Sequence, residues 1–208
     1  MSAGAQVDYY FSLVSPYAYL GHAAFLDLAH RHGATVAYRP VRLLEVFAAA
    51  GGVPLGQRTP SRQRYRLLEL QRWRQARGLP LNLHPAFFPV DGSLADCAAI
   101  ALTRLQRDPE TYIRDAFRAV WVDERNLADR QTIAELLARA GHDADAVLAL
   151  ASGEAVQAAY RANTEAAAAA DLPGVPGYVL AGEAFWGQDR IEMLGQALQS
   201  ARPPYRAH

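Results

Sequence analysis

A hydroxyl at the mouth of a helix can hold a negative charge, and Ser15 occupies such a place in the run Phe11-Ser12-Leu13-Val14-Ser15-Pro16-Tyr17. The first N–H groups of a helix have no partner within it, and the helix dipole favours an anion there. Ser15 can act as the helix cap, or its O–H can donate to a bound thiolate and keep it ionised; the residue types leave both open. A second segment is Gly174-Val175-Pro176-Gly177. The trans preference of an X–Pro bond is only about 0.5–1 kcal/mol. A cis bond before a strand would leave the Val175 N–H and C=O free to pair with an extended ligand, as a sheet edge pairs with a peptide. An ordinary turn fits the same residues. The third segment is Phe185-Trp186-Gly187-Gln188-Asp189-Arg190. Asp189 in the first turn of a helix is ordinarily a capping acid, but beside a pocket it can accept from an ammonium group while helix N–H groups bind the neighbouring carboxylate.

These segments need elements to position them. Val7 to Leu13 is aromatic and β-branched, which predicts a strand. Ser15-Pro16 then starts a helix, since serine is a favoured cap and proline at the first helical position gives up no needed donor. Tyr17, Leu20, Ala24 and Leu28 recur at helical spacing up to Gly33, and Ala34 to Arg39 is a second strand, so a parallel crossover is expected. The middle is helical: a basic helix from Arg62 to Arg77 stopped by Gly78, a Ser93–Asp96 capping box opening a helix to Leu105, and a helix opened by Asp108-Pro109. Further helices are read at Thr132–Ala140, Asp143–Leu150 and Gly153–Ala170. Tyr178–Ala181 and Ala184–Trp186 are strands joined at Gly182-Glu183, and Asp189–Ser200 is a closing helix. The expected fold class is α/β, a thioredoxin-like domain of residues 1-41 and 152-208 interrupted by an all-α helical insertion, 42-151.

Bulk properties narrow the function. The 208 residues carry no net charge, and all 21 basic side chains are arginine, so nothing favours nucleic acid or an anionic membrane. No apolar run approaches the roughly 20 residues that span a bilayer, and no secretory signal precedes Val7, which predicts a cytoplasmic protein. Cys97 is the one cysteine; it can form no internal disulfide and reads as a buried small hydrophobe on an inserted helix rather than a redox centre. His22, His30 and His32 lack partners at ligand spacing and read as surface residues, so no metal site is expected. His84 sits in the loop of Phe88 and could border a substrate. Tyr112, Phe117 and Trp121 read as packing core or a dimer face.

Ser15-Pro16-Tyr17-Ala18-Tyr19-Leu20, Gly174-Val175-Pro176 and Trp186-Gly187-Gln188-Asp189-Arg190 occur in order with Leu70-Gln71-Arg72-Trp73, Gly78-Leu79-Pro80 and Ala119-Val120-Trp121 between them. The set resembles the 2-hydroxychromene-2-carboxylate isomerases, kin of kappa-class glutathione transferases and DsbA-like oxidoreductases. The resemblance implies bound glutathione as cofactor, with Ser15 beside its sulfur and Val175 pairing with its cysteinyl part across cis-Pro176. Trp186, Gly187, Gln188 and Asp189 would hold its γ-glutamyl end. It further implies a small aromatic hydroxy-acid substrate walled by Phe88, its carboxylate held by Arg58 or Arg62, and a homodimer. The implied reaction is reversible thiolate addition, bond rotation and elimination. The alternatives are a kappa-like transferase and a glutathione-binding protein without catalysis. Two departures touch the substrate side: Gly51-Gly52 where Gly-Asn is frequent, and Gly177 where threonine is common.

Overall fold

Val7, Tyr9 and Phe11 alternate with Asp8 and Tyr10 along the first strand, and a period of two sends these sets to opposite faces. Both faces are covered. In the computed structural model, which describes residues 4–200 and 202–206, β1 (Gln6–Phe11) lies inside a four-stranded sheet. It runs parallel to β2 (Thr35–Pro40) and antiparallel to β3 (Gly177–Leu180), which pairs in turn with β4 (Glu183–Trp186) to give the order β2-β1-β3-β4. The β1–β2 crossover is α1 (Pro16–Arg31), as the serine–proline start and the Gly33 stop predict. Val7, Tyr9 and Phe11 pack with Phe25 and Leu28 of α1, Tyr178 of β3 and Leu194 of α9 (Ile191–Ser200). Tyr10 and Val179 face the other side with Val41, Val46, Ala167 and Leu172.

Between β2 and β3 the chain is helical: α2 (Leu43–Ala49), α3 (Pro60–Arg77), α4 (Ser93–Arg104), α5 (Glu110–Trp121), α6 (Arg130–Arg139), α7 (Ala144–Ala151) and α8 (Glu154–Ala169). The short α2 was not anticipated; the other helices fall close to their expected bounds. Tyr112, Ile113, Phe117, Trp121, Ile133 and Leu137 of this block share one continuous core with β1 and α1, so hydrophobic burial ties the helical block to the sheet. Among the described residues no helix is long and apolar enough to cross a membrane.

Three local expectations are corrected. Ser93 and Asp96 do not form a capping box: Asp91 Oδ1 takes both the Ser93 N–H at 2.9 Å and the Ser93 hydroxyl at 2.6 Å, and Asp96 turns inward. The β3–β4 hairpin turns on Ala181-Gly182, one residue earlier than read, both with positive φ as a two-residue hairpin loop demands. His22 is not a surface residue. It follows Ala18 by four residues and precedes Phe25 by three, so the apolar stripe of α1 carries it inside, stacked near Tyr9 and Phe117.

Candidate active site

The sheet register gathers the three segments at one end. Tyr10 pairs with Gly177, and Gly177 pairs with Trp186. The chain therefore leaves β1 toward Ser15, enters β3 from Val175-Pro176, and leaves β4 at Trp186-Gly187, all at the same edge. Phe11 opposite Pro40 brings the end of β2 there as well.

Ser15 caps α1. Its Oγ accepts the Ala18 N–H at 3.2 Å, and its own N–H donates to the Ser12 carbonyl at 2.9 Å. The residue is only 3 % exposed. With the cap bond filling an acceptor site, the hydroxyl hydrogen is uncommitted among the described residues, and a hydroxyl can donate one bond while accepting others. Both readings of the sequence, cap and charge stabiliser, are compatible with this geometry.

The Val175–Pro176 bond is cis. Among the described residues neither the N–H nor the C=O of Val175 has a hydrogen-bond partner, whereas the Pro176 carbonyl accepts the Gly187 N–H at 2.8 Å. That bond stitches the second and third segments together. Gly187 has φ near 100°, a conformation that L side chains seldom adopt. Beyond it Gln188 turns inward. Arg77 of α3 donates to the Gln188 carbonyl at 2.9 Å and to its Oε1 at 3.1 Å. A Cβ on Gly21 would come within 2.6 Å of the Gln188 Cβ, so glycine there lets α1 and this turn meet. The Gln188 side chain is thus committed to holding the turn. Asp189, near the surface, has Oδ2 2.6 Å from Arg190 Nη1, and Trp186 is half exposed.

A cationic, aromatic wall faces this edge. A Cβ on Gly174 would stand 2.6 Å from Phe47 Cε1 and 3.3 Å from Trp186 Nε1, so the three residues are close-packed. Arg58 lies over the Phe47 ring at 5.6 Å and donates from Nε to the Val53 carbonyl at 2.8 Å. Arg66, which the sequence reading passed over, lies over the Phe88 ring at 5.5 Å. Burial holds its guanidinium below the usual arginine range, and Arg58 nearby adds to that; the field of Tyr17 opposes it. Tyr17, two residues past Ser15, is pushed up by burial and pulled down by Arg66 and Arg58. Tyr17, Arg58, Arg66 and Phe88 therefore share one surround. Arg66 has no ion-pair partner among the described residues, Glu69 being taken by Arg72. Phe88 packs on Trp121 at 4.9 Å. Arg62 is exposed one turn before Arg66, and His84 is exposed. The i, i+4 step from Arg66 to the buried Leu70 was the signal that could have singled out Arg66.

Elsewhere the chemistry is muted. The Cys97 thiol is pushed up to about 12, chiefly by burial. Among the described residues no three His, Cys, Asp or Glu side chains group as a metal site. Two surface depressions, one including Arg74 and Leu81 and the other Leu105 and His142, are not lined by Ser15, Val175 or Trp186.

The DSBA-like thioredoxin domain family matches residues 6–199. A 2-hydroxychromene-2-carboxylate isomerase from Sphingobium xenophagum is 30 % identical over 90 % of this chain and 95 % of its own. The solved structure of a 2-hydroxychromene-2-carboxylate isomerase superposes with a TM-score of 0.82 at 29 % identity, covering 94 % of this chain and 95 % of the other. More distantly, glutathione S-transferase kappa 1 of Caenorhabditis elegans is 24 % identical, covering 95 % of this chain and 92 % of its own.

Proposed function

The chain belongs to the DSBA-like thioredoxin family, among its 2-hydroxychromene-2-carboxylate isomerases, and from that premise we propose that it is a glutathione-dependent isomerase of an aromatic hydroxy acid. The observation that carries this reading is the buried Ser15 hydroxyl at the start of α1, its acceptor side occupied by the cap and its hydrogen unspent. A cysteine in that place would invite disulfide exchange; a serine can only donate to a thiolate. The Val175 backbone at a sheet end, without a hydrogen-bond partner among the described residues, fits an extended tripeptide.

Bound glutathione would supply the sulfur that adds reversibly to a conjugated carbon, allows rotation about the bond so made single, and leaves again. Ser15, the Tyr17 N–H and the dipole of α1 favour the negative charge on that sulfur, whose free thiol pKa of about 8.5 is too high for the task. Val175 pairs its N–H and C=O with the extended ligand. Trp186, Gly187 and Asp189 receive the glutamyl end, and Arg77 keeps their turn in place through Gln188. Arg66 and Arg58 hold the substrate carboxylate, a task suited to the guanidinium fork, with Arg62 at the entrance and Phe88 as the aromatic wall. The same reading extends to a cytoplasmic homodimer, and to a thioredoxin-like unit of residues 1-41 and 152-208 carrying residues 42-151 as its insertion.

The test is a glutathione-dependent isomerisation assay across Ser15→Ala and Arg66→Ala. A hydrogen bond to a charged group contributes about 1.5–3 kcal/mol, so Ser15→Ala should lower kcat by about 10- to 100-fold with little change in KM for glutathione. Arg66→Ala should raise KM for the carboxylate substrate about tenfold and leave glutathione binding alone. Full turnover without glutathione would refute the reading. Stoichiometric consumption of glutathione would favour a transferase, a second reading to which the kappa-class relative lends support.

A further inference from the structure

Asp96 touches the loop that carries Ser15. Its side chain lies in the first turn of α4 and is 1 % exposed. Oδ1 accepts the Leu13 N–H at 2.9 Å, while Oδ2 is 3.0 Å from Ser12 Oγ and 2.9 Å from Tyr160 Oη of α8. Ser12 in turn accepts the Ser15 N–H on its carbonyl. Tyr160 Oη also lies 3.2 Å from the carbonyl of Val41, the residue after β2. One carboxyl group thus joins the β1–α1 loop, α4, α8 and, through Tyr160, the end of β2. Building on the glutathione reading above, we propose that Asp96 is a positioning residue, whose carboxyl group clamps the Ser12-Leu13 turn and so sets where Ser15 stands.

The Tyr160 hydroxyl has one hydrogen and two acceptors in reach. Tyr160 donates to Asp96 Oδ2, and a proton on that oxygen would free the hydroxyl to donate to Val41 instead. Ionisation leaves the Val41 carbonyl without that donor and places a negative charge beneath a site meant to hold another. Burial pushes the Asp96 carboxyl up to about 7, against three hydrogen bonds that pull it down. Among the described residues no cation bonds the carboxyl group. Asp91, ahead of α4, pushes in the same direction. Cys97 beside it, Tyr112 of α5 and Tyr160 are each raised by burial and stay neutral. Arg42, 5.4 Å over the Tyr160 ring, is the cation on that side. Burial and Asp91 thus favour the neutral acid, the form in which the clamp closes without a second buried charge.

Asp96→Asn preserves an acceptor for Leu13 and a donor for Tyr160 and cannot ionise; Asp96→Ala removes the clamp. In the wild-type chain without glutathione, the Leu13 and Ser15 amide resonances should titrate together near pH 7, and in Asp96→Asn they should not. With glutathione, Asp96→Asn should keep most of kcat while losing a fall in kcat above about pH 7, and Asp96→Ala should lower kcat tenfold or more with a smaller change in KM. Amides indifferent to pH, or an Asp96→Ala variant with wild-type kcat, would overturn the proposal. Titrating amides in a protein that ignores glutathione would uphold the clamp and refute the glutathione reading alone, because the amide measurement requires no ligand.

Discussion

Two buried polar regions of this molecule are solved in opposite ways. Under the Ser15 loop, both Asp96 oxygens are engaged, by Leu13 N–H and by the Ser12 and Tyr160 hydroxyls. On the α1 side of the sheet, His22 Nε2 and the Tyr178 hydroxyl are buried with no partner among the described residues. There the rings do the packing: Tyr9 stacks on Tyr178 at 5.5 Å and on Phe11 at 4.6 Å, and Phe25 meets Tyr178 at 4.5 Å. Leaving a buried polar atom unpaired costs free energy, and stacked aromatic area offsets it. The difference teaches that polar groups are satisfied completely where a loop must be placed accurately, and are tolerated as parts of large apolar bodies where volume is what the core needs.

The two regions tilt stability with pH in opposite directions. Asp96 is raised to about 7 when folded, against about 3.9 in an unfolded chain. The folded state holds the extra proton, so this contribution to stability is full below about pH 4 and is lost as pH rises through about 7. His22 is lowered to about 3 by burial, against about 6.5 unfolded. Its neutral burial is favourable above about pH 6.5 and is lost as pH falls toward 3. The two trends oppose one another in the wild-type chain, and single variants should unmask them. The unfolding free energy of Asp96→Asn relative to wild type, read from denaturant titrations, should climb between about pH 4 and 7 by on the order of a few kcal/mol. His22→Leu should gain on wild type as pH drops below about 6.5 while staying within about 1 kcal/mol at neutrality. Differences that stay flat with pH would contradict the contrast.

A smaller effect sharpens it further. Tyr160→Phe removes a hydroxyl that bonds Asp96 and Val41, and denaturant unfolding should show a loss of about 1–2 kcal/mol. Tyr178→Phe removes from the same kind of buried ring a hydroxyl with no partner among the described residues. Its stability should match or slightly exceed wild type. Equal losses in both would mean that the two regions do not differ.

Much of the frame was legible in the sequence because its signals are local. Ser15-Pro16 announced the start of α1, Gly33 and Gly78 the stops of α1 and α3, and the alternation around Tyr9 the central strand. The three site segments were also visible, and what brings them to one edge is the β1–β3–β4 register, a long-range fact. The misreadings share a cause. Ser93 and Asp96 satisfy a capping-box spacing, but a nearer acid, Asp91, takes the Ser93 N–H and hydroxyl, and Asp96 is drawn to partners 64 to 84 residues away in sequence. A lone acid in the otherwise apolar run Ala95 to Leu102 was the available hint. His22 was judged by its neighbours His30 and His32 rather than by its place in the stripe of α1. Arg66 was hidden in a helix rich in arginine, where composition masks the one guanidinium that turns toward Tyr17 and Phe88.

Whether the Ser15 hydroxyl holds a thiolate at the start of α1 is read by titrating the thiol of glutathione bound to the wild-type protein and to Ser15→Ala, following thiolate absorbance in the ultraviolet. The bound thiol pKa should lie below the free value of about 8.5 and rise by about one to two units in Ser15→Ala, in line with the loss of one charge-assisted hydrogen bond. A bound thiol that titrates at the same pH in both proteins would contradict it.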